Sequence, residues 1–175
     1  LSADALPDLL TAAERLGFNG LNITHPCKQT VLQHLDVLSP NARALGAVNT
    51  VVFRDGKRFG HNTDWFGFKA AFERELADVP RKRVLQFGAG GAGSAVAHAL
   101  LTLGVETLMI CDVARDRAAA LVEQMNAHHG AGRARTVEDA QAAMAAVDGV
   151  VNATPIGMAQ HPGTPLPIDW LDPQR

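Results

Sequence analysis

The glycine-rich segment at residues 88–93 places the strongest constraint on how this chain can fold. In VLQFGAGGAG, an apolar strand-like stretch leads into three glycines in G-x-G-x-x-G spacing, and a helical pattern follows. Gly88 permits a tight turn, Gly90 lets a pyrophosphate approach the backbone, and Gly93 allows the helix to pack closely on the strand. The helix N-terminus offers free N–H groups and a positive dipole end to the phosphates. We therefore predict a dinucleotide-binding loop made of Gly88, Ala89, Gly90, Gly91, Ala92 and Gly93.

An acidic residue stands where such a loop requires one. Asp112 ends the next apolar stretch, 19 residues beyond Gly93, and dinucleotide folds place a carboxylate there against the adenosine ribose. A carboxylate accepts hydrogen bonds from both ribose hydroxyls of NAD and repels the 2′-phosphate of NADP, so the pattern favours NAD. Two plainer interpretations compete with this one. The glycines could serve tight packing alone, and Asp112 could simply cap the helix that follows it.

Strands and helices alternate through the rest of the second half. Strands are predicted at 84–87, 108–111, 135–137 and 149–154, with helices at 91–103, 115–129 and 138–146. This alternation is typical of parallel βαβ units with both faces of the sheet covered. The polar, proline-containing stretch ADVPRKR precedes the change of pattern, so we predict a domain boundary there. The expected domains are a substrate-binding α/β domain at 1–78 and a Rossmann-type domain at 79–175.

The first half predicts a different arrangement. Leucines at helical spacing indicate a helix over 3–16, with Ser2 as its N-cap and Gly17 as its end. A short strand at 21–23 follows. Residues 48–61 predict a β-hairpin turning at Asp55-Gly56. A helix then begins at Asp64, and its apolar face is expected to comprise Phe68, Ala71, Phe72 and Leu76.

Composition narrows the function classes. Apolar residues make up 47% of the chain and charged residues 19%, so a core can form. The net charge of −2 lacks the concentrated basic face of a nucleic-acid binder, and no apolar run approaches the ~20 residues of a membrane helix. The two cysteines, Cys27 and Cys111, are far apart and indicate a reducing compartment, so a cytoplasmic location is expected. The seven histidines show no ligand spacing; no metal site is predicted, and His128-His129 is interpreted as a helix end before Gly130.

Three polar clusters in the first half stand at the ends of predicted elements: NITHPCK, AVNT and HNTD. Hydride transfer to or from a dinucleotide requires a polar group beside the reacting oxygen to handle the proton. A single lysine is usually a solvated surface residue, and the aspartate of HNTD could be a helix cap. Three such clusters before one dinucleotide loop favour a substrate site.

Five segments together resemble the shikimate dehydrogenase family: GLNITHPCK, LGAVNT, GHNTDWFG, GAGGAG and NATPIGM, in the family's order and spacing. The resemblance implies an enzyme that interconverts shikimate and 3-dehydroshikimate, or quinate and 3-dehydroquinate. The segment CDVARDRA is similar to the branch that uses NAD, whereas biosynthetic NADP-dependent members usually have an Asn-Arg-Thr type sequence there.

The resemblance also implies roles for individual residues. Lys28 corresponds to the family's catalytic lysine and Asp64 to its aspartate partner. The substrate hydroxyls are expected to contact Thr24 and Asn49, with supporting roles for Asn22 and Thr63. The resemblance further implies cofactor contacts from Asp112 and Arg117 at the adenosine ribose, and from Asn152, Thr154 and Pro155 in a loop along the cofactor.

Some alternatives stay open. The family's first strand, with a Ser-x-Ser substrate clamp, and its last helix, with a substrate-binding glutamine, have no counterpart here, so the sequence is expected to be a central piece of a longer enzyme. An NADP-dependent biosynthetic enzyme and a non-catalytic quinate- or shikimate-sensing module remain alternatives to the NAD-dependent dehydrogenase. An adjacent carboxylate stabilises an ammonium ion, so the base is either Lys28 alone or the pair with Asp64. The expected partner is a small-molecule substrate, with no nucleic acid or membrane, and the expected assembly is a monomer or homodimer.

Overall fold

Each half of the chain forms one four-stranded sheet with helices packed against it. The computed structural model describes residues 3–171. The predicted α/β class, with a Rossmann-type second half, is confirmed. The helix cap predicted at Ser2 lies outside the described residues. No helix within residues 3–171 is both long enough and apolar enough to cross a membrane.

The first sheet has the strand order β1-β3-β4-β2, in which β2 and β4 are parallel and the other neighbours antiparallel. Its core is formed mainly by the buried aliphatic side chains of Leu10, Val31, Val48 and Val51. The elements of this half, in chain order, are a 3₁₀ turn (Ala3–Ala5), α1 (Leu6–Arg15), β1 (Gly20–Asn22), a second 3₁₀ turn (Thr30–His34), β2 (Val37–Leu38), α2 (Pro40–Leu45), β3 (Thr50–Arg54), β4 (Lys57–His61) and α3 (Asp64–Glu75).

The predicted hairpin is confirmed as β3 and β4. Its two turn residues, Asp55 and Gly56, both adopt positive φ angles, 52° and 67°. Positive φ at both central positions is the requirement of a type I′ turn, whose twist matches that of the paired strands. The turn sets the register that places Thr50 opposite His61, and so brings the AVNT and HNTD segments together.

The second sheet is fully parallel, in the order β7-β6-β5-β8. Alternate strand residues face opposite layers: Leu108 and Ile110 pack under α4 and α5, whereas Leu85 and Met109 pack toward α6. The prediction that both faces are covered is therefore confirmed. The elements are β5 (Arg83–Phe87), α4 (Gly91–Thr102), β6 (Thr107–Cys111), α5 (Arg115–His129), β7 (Ala134–Thr136), α6 (Ala140–Met144), β8 (Gly149–Asn152) and a final 3₁₀ turn (Ile168–Trp170).

Helix α3 differs from its prediction in what it buries. Phe68 and Phe72 pack against the core of the second sheet, as expected of an apolar face. However, Ala71 is exposed and Leu76 is 45% exposed, and none of the helix residues is fully buried. The physical reason is that the aromatic side chains make the contact: Phe68 and Phe72 pack on the core of the second sheet and Trp65 packs on His98 of α4, so Ala71 and Leu76 stay outside it.

Direct hydrogen bonds join the two halves. The Ser94 hydroxyl donates to the carbonyl of Leu45 (2.6 Å), and the Gln124 amide donates to the carbonyl of Ala44 (2.7 Å). Both acceptors are carbonyls of the last turn of α2, which a helix leaves without internal partners. We propose that the domain boundary lies between residues 78 and 79, in which case both bonds cross from one domain to the other.

Candidate active site

Lys28 and Asp64 form a close ion pair at the junction of the two halves. Lys28 lies in the turn after β1, and Asp64 is the first residue of α3. The Lys28 Nζ donates to Asp64 Oδ2 at 2.7 Å, and the two side chains are 18% and 35% exposed. The ammonium is therefore held in place and remains accessible at the surface. The sequence predicted these two residues as a pair, and the structure brings them together.

Asn49 and Thr63 complete a polar group around this pair, which we call the Lys28 network (Lys28, Asn49, Thr63 and Asp64). The Asn49 amide donates to Asp64 Oδ1 (2.8 Å) and to the Thr63 hydroxyl (2.9 Å). In return, Asn49 Oδ1 accepts from the Thr63 backbone N–H (3.0 Å). Both carboxylate oxygens of Asp64 are thus engaged, one by the lysine and one by the asparagine.

The alternative that Asp64 is merely a helix cap does not describe the structure. The backbone N–H of Asp64 is satisfied by Asn62 Oδ1 (3.0 Å), and Thr63 at the N-cap makes no side-chain capping bond. Asn62 is 5% exposed, and its amide also donates to the carbonyl of Ala47 (3.1 Å). The local capping function therefore belongs to Asn62, which leaves the Asp64 carboxylate for Lys28. Sequence reasoning assigned Asn62 no role, although it stands inside HNTD.

The backbone on either side of Lys28 is anchored to the strands. The Lys28 carbonyl accepts from Val48 N–H (2.8 Å), and Ile23 N–H donates to the carbonyl of Asn49 (2.7 Å). These bonds fix the lysine turn to the segment that carries Asn49. The position of the ammonium thus follows from main-chain pairing of two sequence-distant segments.

Asn22 and Thr24 lie apart from this network. Both are exposed near the end of β1, and among residues 3–171 no hydrogen bond connects their side chains with the Lys28 network. Their exposure leaves them free to contact a ligand. Their assignment as substrate-binding residues stays a prediction.

The glycine loop runs from β5 into α4 directly beside Lys28. A Cβ built at Gly91 would lie 3.1 Å from Cβ of Lys28, so the lysine stem packs on the loop. Gly88 has a φ of 100°, and a Cβ there would lie 2.7 Å from the carbonyl oxygen of Ala153. At Gly93 a Cβ would collide with the carbonyl of Gly88, whereas at Gly90 nothing lies within 4 Å. The loop therefore keeps an open face at Gly90, at the N-terminus of α4, as a bound pyrophosphate requires.

The buried side chain of Gln86 supports the glycine loop, and no role for this residue was predicted from the sequence. The residue is fully buried, and its amide nitrogen donates to the carbonyls of Gly88 (2.8 Å) and Gly93 (2.9 Å). If the Gln86 amide were rotated by 180°, its oxygen would face the two carbonyl oxygens and could not bond to them. The two carbonyls therefore determine which way the amide points. A polar residue inside the apolar stretch VLQF was the signal that could have revealed it.

Asp112 lies at the end of β6, against the same loop. Its carboxylate is 7% exposed and accepts from the N–H groups of Ala89 (2.7 Å) and Ala114 (2.8 Å) and from Arg117 (3.1 Å). It therefore fixes the loop and the β6–α5 turn, and its contact with an adenosine ribose stays a prediction. Burial, and then the neighbouring Asp112 charge, raise the pKa of the Cys111 thiol, which keeps this thiol protonated.

The predicted loop after β8 forms a compact turn near the glycine loop. Asn152 Oδ1 accepts from the backbone N–H (2.9 Å) and hydroxyl (2.7 Å) of Thr154, and the Asn152 amide donates to the carbonyl of Ile156 (3.2 Å). Pro155 is exposed at its tip. Because β8 is parallel to β5, this turn and the glycine loop lie at the same edge of the sheet, where ligands bind in open α/β sheets.

Comparison with known proteins agrees with this architecture. Residues 1–51 match the family model described as the shikimate dehydrogenase substrate binding domain. Residues 70–160 match the model described as shikimate / quinate 5-dehydrogenase. Together the two matches include the Lys28 turn, the glycine loop and the turn after β8.

Individual relatives differ in the cofactor that their names give. A shikimate dehydrogenase (NADP(+)) of Streptomyces avermitilis is 56% identical over 172 residues, covering 97% of this chain and 59% of the relative. A quinate/shikimate dehydrogenase (NAD(+)) of Corynebacterium efficiens is 52% identical, with 98% of this chain and 61% of the relative covered.

A solved structure aligns over nearly the whole chain. It is a quinate dehydrogenase from Corynebacterium glutamicum in complex with NAD, with a TM-score of 0.86 and 49% identity, covering 95% of this chain and 60% of that one. This chain thus spans about three fifths of the length of these relatives. With both family models matched in order and the fold reproduced, the chain belongs to the shikimate dehydrogenase family.

Proposed function

We propose that the protein containing this chain is an NAD-dependent dehydrogenase that interconverts quinate and 3-dehydroquinate, shikimate and 3-dehydroshikimate, or both pairs. The observation that carries the proposal is the 2.7 Å Lys28–Asp64 pair, whose lysine stem packs on the glycine loop. A dehydrogenase needs a proton-transfer group beside the site of hydride transfer. A sensing module would need neither member of the pair.

The proposed chemistry divides between the cofactor and the chain. The bound dinucleotide supplies the hydride acceptor in alcohol oxidation and the hydride donor in ketone reduction. The open face at Gly90 and the N-terminus of α4 would hold its pyrophosphate. Asn152, Thr154 and Pro155, at the same sheet edge, would border it.

The Lys28 network handles the proton. During alcohol oxidation, the substrate hydroxyl loses its proton to the Lys28–Asp64 pair while the hydride leaves the same carbon. During ketone reduction, the ammonium donates a hydrogen bond to the carbonyl oxygen and then transfers the proton. Since Asp64 binds Lys28 and Asn49 at once, Lys28 and Asp64 act in this proposal as one proton-transfer unit.

The substrate would be oriented by side chains around the ammonium. Asn49 and Thr63 surround the carboxylate of Asp64, and the exposed Asn22 and Thr24 would contribute further contacts to ring hydroxyls. A substrate hydroxyl could donate to the Thr63 hydroxyl oxygen, whereas both N–H bonds of the Asn49 amide are already used by Thr63 and Asp64.

The proposed preference for NAD rests on Asp112. Its nearly buried carboxylate stands at the end of β6. There its negative charge would repel the 2′-phosphate of NADP, and it would offer that phosphate no positively charged partner. Relatives named as NAD(+) enzymes, at 52% and 49% identity, support this choice.

A second candidate is the NADP-dependent biosynthetic enzyme. Arg117 is 57% exposed beside Asp112 and could turn outward to neutralise a 2′-phosphate. Relatives at 56% and 53% identity are named as NADP(+) enzymes. The cofactor preference therefore needs direct measurement.

An activity matrix on the full-length protein tests both candidates. Quinate and shikimate are each assayed with NAD⁺ and NADP⁺, and kcat/KM is measured from the absorbance of the reduced nicotinamide. We expect turnover of at least one ring acid, with NAD⁺ giving the higher kcat/KM. A higher value with NADP⁺ would establish the second candidate. Binding of quinate or shikimate without turnover in any combination would instead establish a sensing module.

A further inference from the structure

Three histidine side chains meet on two helices of the second half, and none of them belongs to the Lys28 network or to the glycine loop. His98 lies on α4, and His128 and His129 end α5. The centroids of their rings are 4.8–5.1 Å apart. One nitrogen of each ring lies within 4.8 Å of a nitrogen of each of the others. The predicted helix end at Gly130 is confirmed, with a φ of 105°, but that role does not account for the convergence on His98.

The cluster combines a fixed inner side with an accessible outer side. His98 is 4% exposed, and its Nδ1 lies 2.9 Å from Nε2 of His129. His129 is half-buried and His128 is exposed. Because α4 and α5 hold the inner pair in place, an ion arriving from solvent needs mainly His128 to turn.

The two inner rings are neutral near neutral pH. Burial, followed by the charge of His128, lowers the pKa of His98 to about 4. Burial lowers the pKa of His129 to about 4 as well, with smaller contributions from His98, His128 and Arg133. Neutral imidazole is the form that offers a lone pair to a metal ion.

We propose that His98, His128 and His129 form a binding site for a divalent transition-metal ion such as Zn²⁺. Three imidazoles favour such borderline ions over Ca²⁺ or Mg²⁺, which prefer oxygen ligands. Nitrogens on a tetrahedral zinc ion lie about 3.3 Å apart, given Zn–N distances of about 2.0–2.1 Å. The His98–His129 nitrogens therefore separate slightly from 2.9 Å. In the free protein one of these rings donates its N–H to the other; on metal binding that ring carries its proton on its other nitrogen, so that both facing nitrogens offer lone pairs to the ion. A water molecule fills the fourth position.

The site adjoins the helix that carries Asp64. The ring of Trp65 packs edge-on against His98, with centroids 5.1 Å apart. An ion at the cluster would thus lie close to an indole, and a paramagnetic ion such as Co²⁺ would quench its fluorescence. Trp170, in the final 3₁₀ turn and packed toward the opposite sheet face, supplies an internal reference.

Metal titration of the full chain, purified with a histidine-free tag, tests the proposal. We expect isothermal titration with Zn²⁺ to show one ion per chain, Co²⁺ to give the visible absorption of a four-coordinate site, and Trp65 emission to fall. Removal of one of the three ligands should weaken Zn²⁺ binding by about tenfold or more, because loss of even a residue that only hydrogen-bonds to a ligand has an effect of that size. His128→Asn is the main variant because its exposed position makes unfolding of little concern.

Matched variants separate the outcomes. His98→Asn should abolish the Co²⁺ spectrum, and its folding is checked by circular dichroism. His161→Asn changes an exposed histidine outside the cluster and should leave the affinity unchanged. Absence of stoichiometric Zn²⁺ binding by the wild-type chain would overturn the proposal, as would an affinity that His128→Asn leaves intact or that His161→Asn lowers equally. Each of these three results would leave a hydrogen-bonded histidine pair only.

Discussion

The Lys28 network and the glycine loop lie side by side but are built in opposite ways. The network consists of side-chain hydrogen bonds among residues that come from three separate segments and stay partly exposed. The loop belongs to one continuous strand–loop–helix unit, buried in part, and is shaped by backbone carbonyls and the absence of side chains. Changes in the first region should therefore affect rate, and changes in the second should affect stability and cofactor choice.

The largest effect is expected from Lys28→Ala in the full-length enzyme. Loss of a positioned proton-transfer group typically lowers the rate by ~10²–10⁴-fold, while cofactor affinity should change little because the proposed dinucleotide contacts come from the loop backbone. Steady-state kinetics and a cofactor titration measure the two quantities separately. Lys57→Ala, at an exposed lysine of β4, is the control. Near-normal kcat in Lys28→Ala would remove the lysine from the mechanism.

Asp64→Asn should give a smaller but related loss of kcat. The amide keeps the shape of the side chain yet withdraws the negative charge from Lys28, 2.7 Å away. If the pair acts as a unit, Lys28→Ala/Asp64→Asn should be little worse than Lys28→Ala, because groups in one unit are strongly non-additive. Multiplicative losses in the double mutant would show that the two residues act independently.

Gln86→Leu should lower stability instead of the rate constant for chemistry. The change leaves the carbonyls of Gly88 and Gly93 without their buried donor, at a cost of about 1–3 kcal/mol in the free energy of unfolding. Urea denaturation measures it, with Gln141→Leu on the exposed face of α6 as the control. An unchanged unfolding midpoint would mean that the loop holds its shape without Gln86.

The smallest effect concerns Asp112→Ser, measured as the ratio of kcat/KM for NADP⁺ to that for NAD⁺. Removal of this nearly buried carboxylate, whose charge Arg117 partly compensates, is expected to be worth about 1 kcal/mol, or about a fivefold rise in the ratio. The gain should come chiefly from NADP⁺. Since Asp112 also binds the Ala89 N–H, some stability should be lost with both cofactors. A ratio that does not move would exclude Asp112 as the selecting residue.

The two regions also differ in how far the sequence predicted them. The glycine loop and the Asp55-Gly56 hairpin depend on neighbouring residues, so their geometry could be predicted from local pattern alone. Helix α2 was missed although its signals are local: Ser39 caps it through Ala42 N–H, Pro40 opens it, and Gly46 ends it with a φ of 58°. Its six residues were too few to show a helical period.

Other features depend on packing between distant segments and could not be predicted from spacing. The exchange of hydrogen bonds between Asn49 and Thr63 requires the hairpin register. The meeting of His98 with His129 requires α4 to lie against α5. In both cases the residue types were visible in the sequence, and their proximity was not.

The contact between Gly91 and Lys28 has a mechanical consequence. The lysine stem lies so close to the loop that a Cβ atom added at position 91 would be only 3.1 Å from Cβ of Lys28. Gly91 is not one of the three glycines of the G-x-G-x-x-G motif, yet its lack of a side chain leaves room for the Lys28 stem against the loop. The lysine stem would have to give way by a few tenths of an ångström to admit such a Cβ atom. Any residue larger than glycine at this position would therefore push the stem of Lys28, and with it the ammonium, away from the loop.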